Sequence, residues 1–256
     1  MKQFCFTVDD NIRFLKELNE GNFGSLFDHP YLKLYRHLRE RYQLRVQLNL
    51  FYEQGDFDLS SMSERYKAEW EENAHWLKLS FHSRLENVNP YENSDYGEVY
   101  EDCEAVHREI LRFASSESLA KTTTVHYCVA TADGINALKR NGVRGLLGLY
   151  GSNDAPRSSY QTNAAEESRI RVGETVWSDG MAYAGIDLIL NAVPKEKIIP
   201  QLKMLSDREW IKVMIHEQYF YPDYPHYQAD FEEKLDAAFA FLTEHGFCST
   251  FFEDCL

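Results

Sequence analysis

The 256 residues carry 27 Lys and Arg against 41 Asp and Glu, a formal net charge of −14, with 44% apolar and 14% aromatic residues. That apolar share supports a sizeable core, in one large domain or two small ones. The negative balance argues against nucleic acid, whose phosphates need a basic face, and against an anionic membrane surface, and it suits a neutral or cationic small molecule.

The chain opens with "QFCFTVDDNIRFLKEL", in which Phe4–Val8 reads as a buried strand running into Asp9 and Asp10. Adjacent like charges at the end of a buried strand repel and resist desolvation, so a cation is the expected compensation. The lesser alternative is an N-cap pair for a helix starting at Asn11. Further strands are expected at Arg45–Tyr52 and Leu77–His82, followed by a helix over Gly97–Ala114 whose apolar residues Val99, Cys103, Val106, Ile110 and Phe113 recur at helical spacing. His107 beside that stripe reads as a half-exposed helix histidine. A strand over Thr123–Val129 leads to a helix closed by Gly142 and then to a strand over Gly145–Tyr150.

Residues 152–193 break this rhythm. Alternation around Gly173 and Asp179-Gly180 signals a hairpin, read as a β-arm inserted at about 152–193, with Ile186–Leu190 rejoining the main body. A strand at Ile211–His216 precedes the aromatic run "YFYPDYPHY", which fits either a sugar-stacking wall or a cap on the core. A helix over Gln228–His245, ended by Gly246, and a strand over Phe247–Phe252 complete the chain.

Strand–helix alternation at this period implies parallel strands with crossover helices: a closed α/β barrel or an open doubly wound sheet, in one domain over 1–256. Cys5, Cys103, Cys128, Cys248 and Cys255 include no Cys-x-x-Cys pair and read as reduced thiols. With no basic-then-apolar leader and no membrane-length run, a cytoplasmic protein is expected. No Gly-x-Ser-x-Gly, Gly-x-Gly-x-x-Gly or P-loop pattern occurs, which weakens serine-hydrolase, dehydrogenase and kinase readings.

Functional groups gather at strand ends: Asp9 and Asp10 after the first, His82 and Glu86 in "SFHSRLE", His126 in "TVHYC", His216 and Glu217 in "VMIHEQ". Carboxylates and imidazoles at one end of a barrel can hold a divalent transition metal, zinc first, with manganese, cobalt or nickel as alternatives. One aspartate can then bind the ion, the other take a proton from water, and a histidine protonate the leaving group.

"FTVDDN" resembles the Thr-Phe-Asp-Asp-Gly motif of polysaccharide deacetylases of the NodB-homology type. "SFHSRLE" resembles their His-Ser/Thr motif, and "VMIHEQ" their late Leu-x-His motif, in the same order along the chain. The resemblance implies an irregular (β/α) barrel, here with an inserted β-hairpin arm, and metal-dependent hydrolysis of an acetamide or similar C–N bond. It implies Asp9 as general base, Asp10 and His82 as metal ligands, and His216 as general acid. Glu86 stands where the family places its second metal histidine, giving an expected Asp10–His82–Glu86 set; the alternative is that Glu86 lies outside the ligand set and another histidine completes it. Asn11 replaces the motif glycine, and "VHYCVAT" stands in place of the family's Arg-Pro-Pro-Tyr motif. His126, Trp177 and Tyr219 are assigned to substrate binding. The expected partner is a small-molecule or oligosaccharide substrate, with homo-oligomerisation left open. The competing expectation is a drifted barrel that binds a carbohydrate without turning it over.

Overall fold

The structure, a computed structural model, describes residues 2–87, 90–151 and 158–256. In chain order the elements are β1 (Gln3–Asn11), α1 (Arg13–Glu20), α2 (Pro30–Tyr42), β2 (Val46–Gln54), β3 (Phe57–Asp58), α3 (Lys67–Asn73), β4 (Leu77–Leu85), α4 (Tyr96–Phe113), β5 (Thr122–Thr123) and α5 (Ala132–Arg140). They continue with β6 (Gly145–Gly148), α6 (Ala164–Arg171), β7 (Val176–Ser178), β8 (Met181–Gly185), β9 (Leu188–Ile189), α7 (Lys195–Leu205), β10 (Trp210–His216), α8 (Phe231–Glu244) and β11 (Cys248–Thr250).

β1 is the centre of the larger sheet. It pairs in parallel with β10 along Gln3–Asp9, with β11 over Gln3–Cys5 and with β2 from Thr7 onward. A strand hydrogen-bonded on both sides and covered on both faces must be apolar throughout, which is why Phe4, Phe6 and Val8 are all buried. Phe4 and Phe6 both pack on Phe239 of α8, at 5.7 and 4.9 Å between ring centroids. Each such ring contributes about 2–3 kcal/mol by leaving water.

Going round from β9, the parallel order is β10, β1, β2 and β4; the second sheet then runs β5, β6, β8 in parallel. A single parallel bridge, Leu79 with Leu119, joins the sheets on one side, and on the other the chain passes directly from β8 to β9. The eight parallel strands therefore follow the order of an irregular α/β barrel, and the short β5 and β9 are its weak staves.

Two expectations are refined. The hairpin turns at Asp179-Gly180, with Ser178 opposite Met181, but β8 is no free arm: it is buried along its length and pairs with β6. The start of the expected arm, 152–157, lies outside the described residues. The strand expected over Thr123–Val129 survives only as β5; Tyr127 and Cys128 have φ of 60° and 58°, and consecutive left-handed residues end a strand. His107 is buried, because α4 packs against β4 on one side and α5 on the other.

Candidate metal and acid–base site

β1 does not give way to a helix at Asn11. It bulges between Val8 and Asn11, and Asp10 takes φ 62°, a left-handed conformation that aspartate tolerates better than most residues. Asn11, in place of the motif glycine, closes the bulge: its amide donates to the carbonyls of Val8 (2.6 Å) and Asn49 (3.1 Å), and its Oδ1 accepts from the Tyr31 hydroxyl (2.8 Å). The bulge separates the roles of the two carboxylates. Asp9 stays in the strand, opposite His216 of β10, while Asp10 swings toward β4.

There Asp10 Oδ1 lies 3.0 Å from His82 Nε2 and 3.3 Å from His126 Nδ1, and the two ring nitrogens are 3.1 Å apart. These form the one His/Cys/Asp/Glu group among the described residues with metal-holding geometry. Donors bound to one ion at about 2.0–2.1 Å sit roughly 2.9–3.4 Å from each other in tetrahedral or octahedral arrangements, which matches all three edges. His82 Nδ1 donates to the Thr124 carbonyl, so its Nε2 lone pair faces the group, as in a ligating histidine whose second nitrogen is fixed by a carbonyl. The donor set fits a divalent transition metal.

Burial alone would raise the Asp10 carboxyl, but the His126 and His82 rings set against its oxygen hold it well below the usual carboxylate range. Gln218 donates to its second oxygen at 2.7 Å. Asp9 is driven the other way: it is 1% exposed, and burial raises its proton affinity against the pull of His82, His216 and the Asn49 amide. The amide's direction is fixed by a buried chain. Thr122 Oγ1 donates to Gln47, the Gln47 amide donates to Asn49 Oδ1 (2.8 Å), and Asn49 Nδ2 therefore donates to Asp9 Oδ1 (2.7 Å). His216 Nδ1 donates to Asn191 Oδ1 (2.9 Å), leaving Nε2 available.

A cavity of about 420 Å³ opens over these groups, walled by Tyr127, Tyr219 and Tyr224. It brings Asp9, Asp10, His82, His126, His216 and Tyr219 together from four separate stretches of chain. Glu86, expected as third ligand, lies in the turn after β4 beside Asn87 (φ 59°), where its carboxylate accepts from the Gln54 amide. It lines the cavity, but the third donor of the compact group is His126. Trp177, on β7 opposite Ala182, is half exposed and is not among the described residues lining the cavity. Asn49, Asn191 and Gln218, which orient the acidic and basic groups, escaped sequence reading. Asn49 had a signal, a second polar residue two positions after Gln47, set between the apolar Leu48 and Leu50.

No family model matches the chain, and no curated protein matches it in sequence. Solved structures do. A family 4 acetyl xylan esterase from Clostridium thermocellum, in complex with a cobalt ion, matches with TM-score 0.52 and 12% identity over 99% of this chain and 89% of its own. A peptidoglycan N-acetylglucosamine deacetylase, in complex with an N-hydroxybenzamide derivative, matches with TM-score 0.52 and 11% identity over 98% and 86%. A 4-alpha-glucanotransferase from Thermococcus litoralis reaches TM-score 0.60 at 13% identity, with 99% of this chain spanning 40% of that one. The chain has the fold of the polysaccharide-deacetylase barrels.

Proposed function

We propose that this chain is a metal-dependent hydrolase of the deacetylase type, cleaving the C–N bond of an N-acetyl or similar amide on a soluble, sugar-like substrate. The observation that carries the reading is the donor triangle of Asp10, His82 and His126, set beside an acid–base pair, Asp9 and His216, on adjacent strands. Asp10, His82 and His126 would hold a divalent transition metal, zinc first and cobalt, manganese or nickel after it, which when bound polarises the amide carbonyl and water.

The remaining work falls to the protein's own groups. Asp9 accepts the proton of the attacking water: Asn49 occupies Oδ1, Oδ2 is left for the proton, and burial gives the carboxylate the raised basicity a general base needs. As the water oxygen bonds to the carbonyl carbon and the C–N bond breaks, His216 gives the departing nitrogen its proton from Nε2, with Asn191 holding Nδ1. The proton taken by Asp9 then restores His216. Tyr219 and Tyr224 present faces on which a sugar ring can stack.

Elemental analysis and acetate release from N-acetyl sugars test the reading together. The purified protein should hold about one transition metal per chain. Asp10→Asn, which keeps a side chain suited to the left-handed backbone, should lose metal and activity; Asp9→Asn should keep the metal and lose about a hundred- to ten-thousandfold in kcat. A metal-loaded chain that binds N-acetyl sugars and releases no acetate would instead be a drifted barrel acting as a carbohydrate-binding protein.

A further inference from the structure

The charges around the site are unevenly matched. Asp9 and Asp10 face the histidines and the metal position. In the smaller neighbouring cavity of about 220 Å³, which shares Asp10, Glu86, Gln218 and Tyr224 with the first, Arg13 is paired with Glu17 (2.9 Å) and Asp223 (2.7 Å). Glu217 in that cavity is committed to the amides that start α1. Glu86 has neither a cationic partner nor backbone amides on its carboxylate among the described residues; its contact is the neutral Gln54 amide. No Lys or Arg is among the described residues lining the main cavity, where Glu86 stands with Tyr127, Tyr219 and Tyr224.

We propose that Glu86 and the tyrosine wall select substrates carrying a free ammonium group within about 13 Å of the amide to be cleaved, and reject those carrying an anion. This rests on the deacetylase reading of the same site and narrows its substrate class to N-acylated amines with a second, unacylated amine. A carboxylate without a counter-charge at the mouth of a partly enclosed cavity attracts a cation, and aromatic faces hold ammonium groups through their negative centres. The chain from His82 to Glu86 spans at most about 13 Å, so an ammonium within about ten bonds of the scissile amide is in reach of Glu86. The chemistry does not involve Glu86 in bond breaking; it is a specificity residue.

Three glycosides of N-acetylglucosamine that differ only at the end of a propyl chain, one ammonium, one hydroxyl and one carboxylate, test the proposal. Both kcat/KM and Kd are read. The wild type should prefer the ammonium glycoside to the hydroxyl one by about tenfold in Kd and should disfavour the carboxylate by a similar factor, the preference shrinking in roughly 0.5 M salt. In Glu86→Gln the ammonium and hydroxyl glycosides should fall within about twofold of each other. Equal affinities in the wild type, or a preference that survives in Glu86→Gln, overturns the proposal. Should no glycoside lose acetate while the ammonium preference holds and depends on Glu86, the deacetylase reading fails and the charge selection stands.

Discussion

Asp10 reaches His82 and His126 because one left-handed residue lifts it out of β1, and Asn11 staples the bulge that makes this stable. The sequence displayed the Asp-Asp pair plainly, since two carboxylates after a buried strand have no inexpensive apolar explanation. It could not display the third donor. His126 arrives on a turn whose two left-handed residues, Tyr127 and Cys128, have no local signature, whereas Glu86 lies at a motif spacing from His82 and drew the assignment. Metal content separates the two directly: His126→Ala should reduce bound metal at least about tenfold, and Glu86→Gln should leave it unchanged, measured by elemental analysis after dialysis against a weak chelator. Retention in His126→Ala together with loss in Glu86→Gln would restore the Asp10–His82–Glu86 set.

Strands and helices with a strong period were readable, and their ends were not. The core faces of β1, α4 and α8 follow from apolar spacing, and Gly142 and Gly246 do end helices with φ of 89° and 79°. α1 shows why an end is harder. Its N-cap position is Ile12, which has no side-chain acceptor, so the helix cannot start on local chemistry. The acceptor comes from 205 positions away: Glu217 Oε2 takes the Ile12 (2.7 Å) and Arg13 (3.1 Å) amides, and Oε1 takes Phe14 (2.7 Å) and the Tyr221 hydroxyl (3.0 Å). Glu217 follows His216 and α1 follows the Asp pair, so this one carboxylate locks the two halves of the proposed acid–base pair together. Glu217→Gln turns an amide donor toward backbone donors and should cost about 2–3 kcal/mol in urea unfolding, with a fall in kcat/KM although Glu217 touches no substrate. Tyr221→Phe removes one donor of four and should cost about 1 kcal/mol. Equal stability of wild type and Glu217→Gln would show that α1 does not depend on this clamp.

For the whole molecule, the consequence of burying titratable groups is a stability that depends on pH through specific residues. His107 is the clearest case away from the site. Helical spacing set it beside an apolar stripe, where an exposed edge seemed natural, but β4 and α5 close over it, and its polar neighbours are the Cys103 thiol at 3.6 Å and the Asn141 backbone. Burial pushes its pKa down from 6.5 to about 4. The folded chain thus resists a proton that the unfolded chain accepts: between pH 6.5 and 4 the unfolded state binds more protons, and folding stability falls as the solution is acidified through that window. The loss attributable to this residue approaches about 3 kcal/mol near pH 4. Glu217 has the opposite sign, since burial raises its pKa from 4.5 to about 7 and the folded chain then holds the extra proton between those values. The two slopes oppose each other, so the wild-type profile conceals both, and a difference measurement is needed. Chemical unfolding of wild type and His107→Leu from pH 4 to 7.5 should give a stability difference that is constant above about pH 7 and shifts in favour of the variant by about 3 kcal/mol toward pH 4. A difference that stays flat across that range would mean that His107 takes up its proton as readily in the folded chain as in the unfolded one, and the packing of α4 between β4 and α5 would not be the seal described.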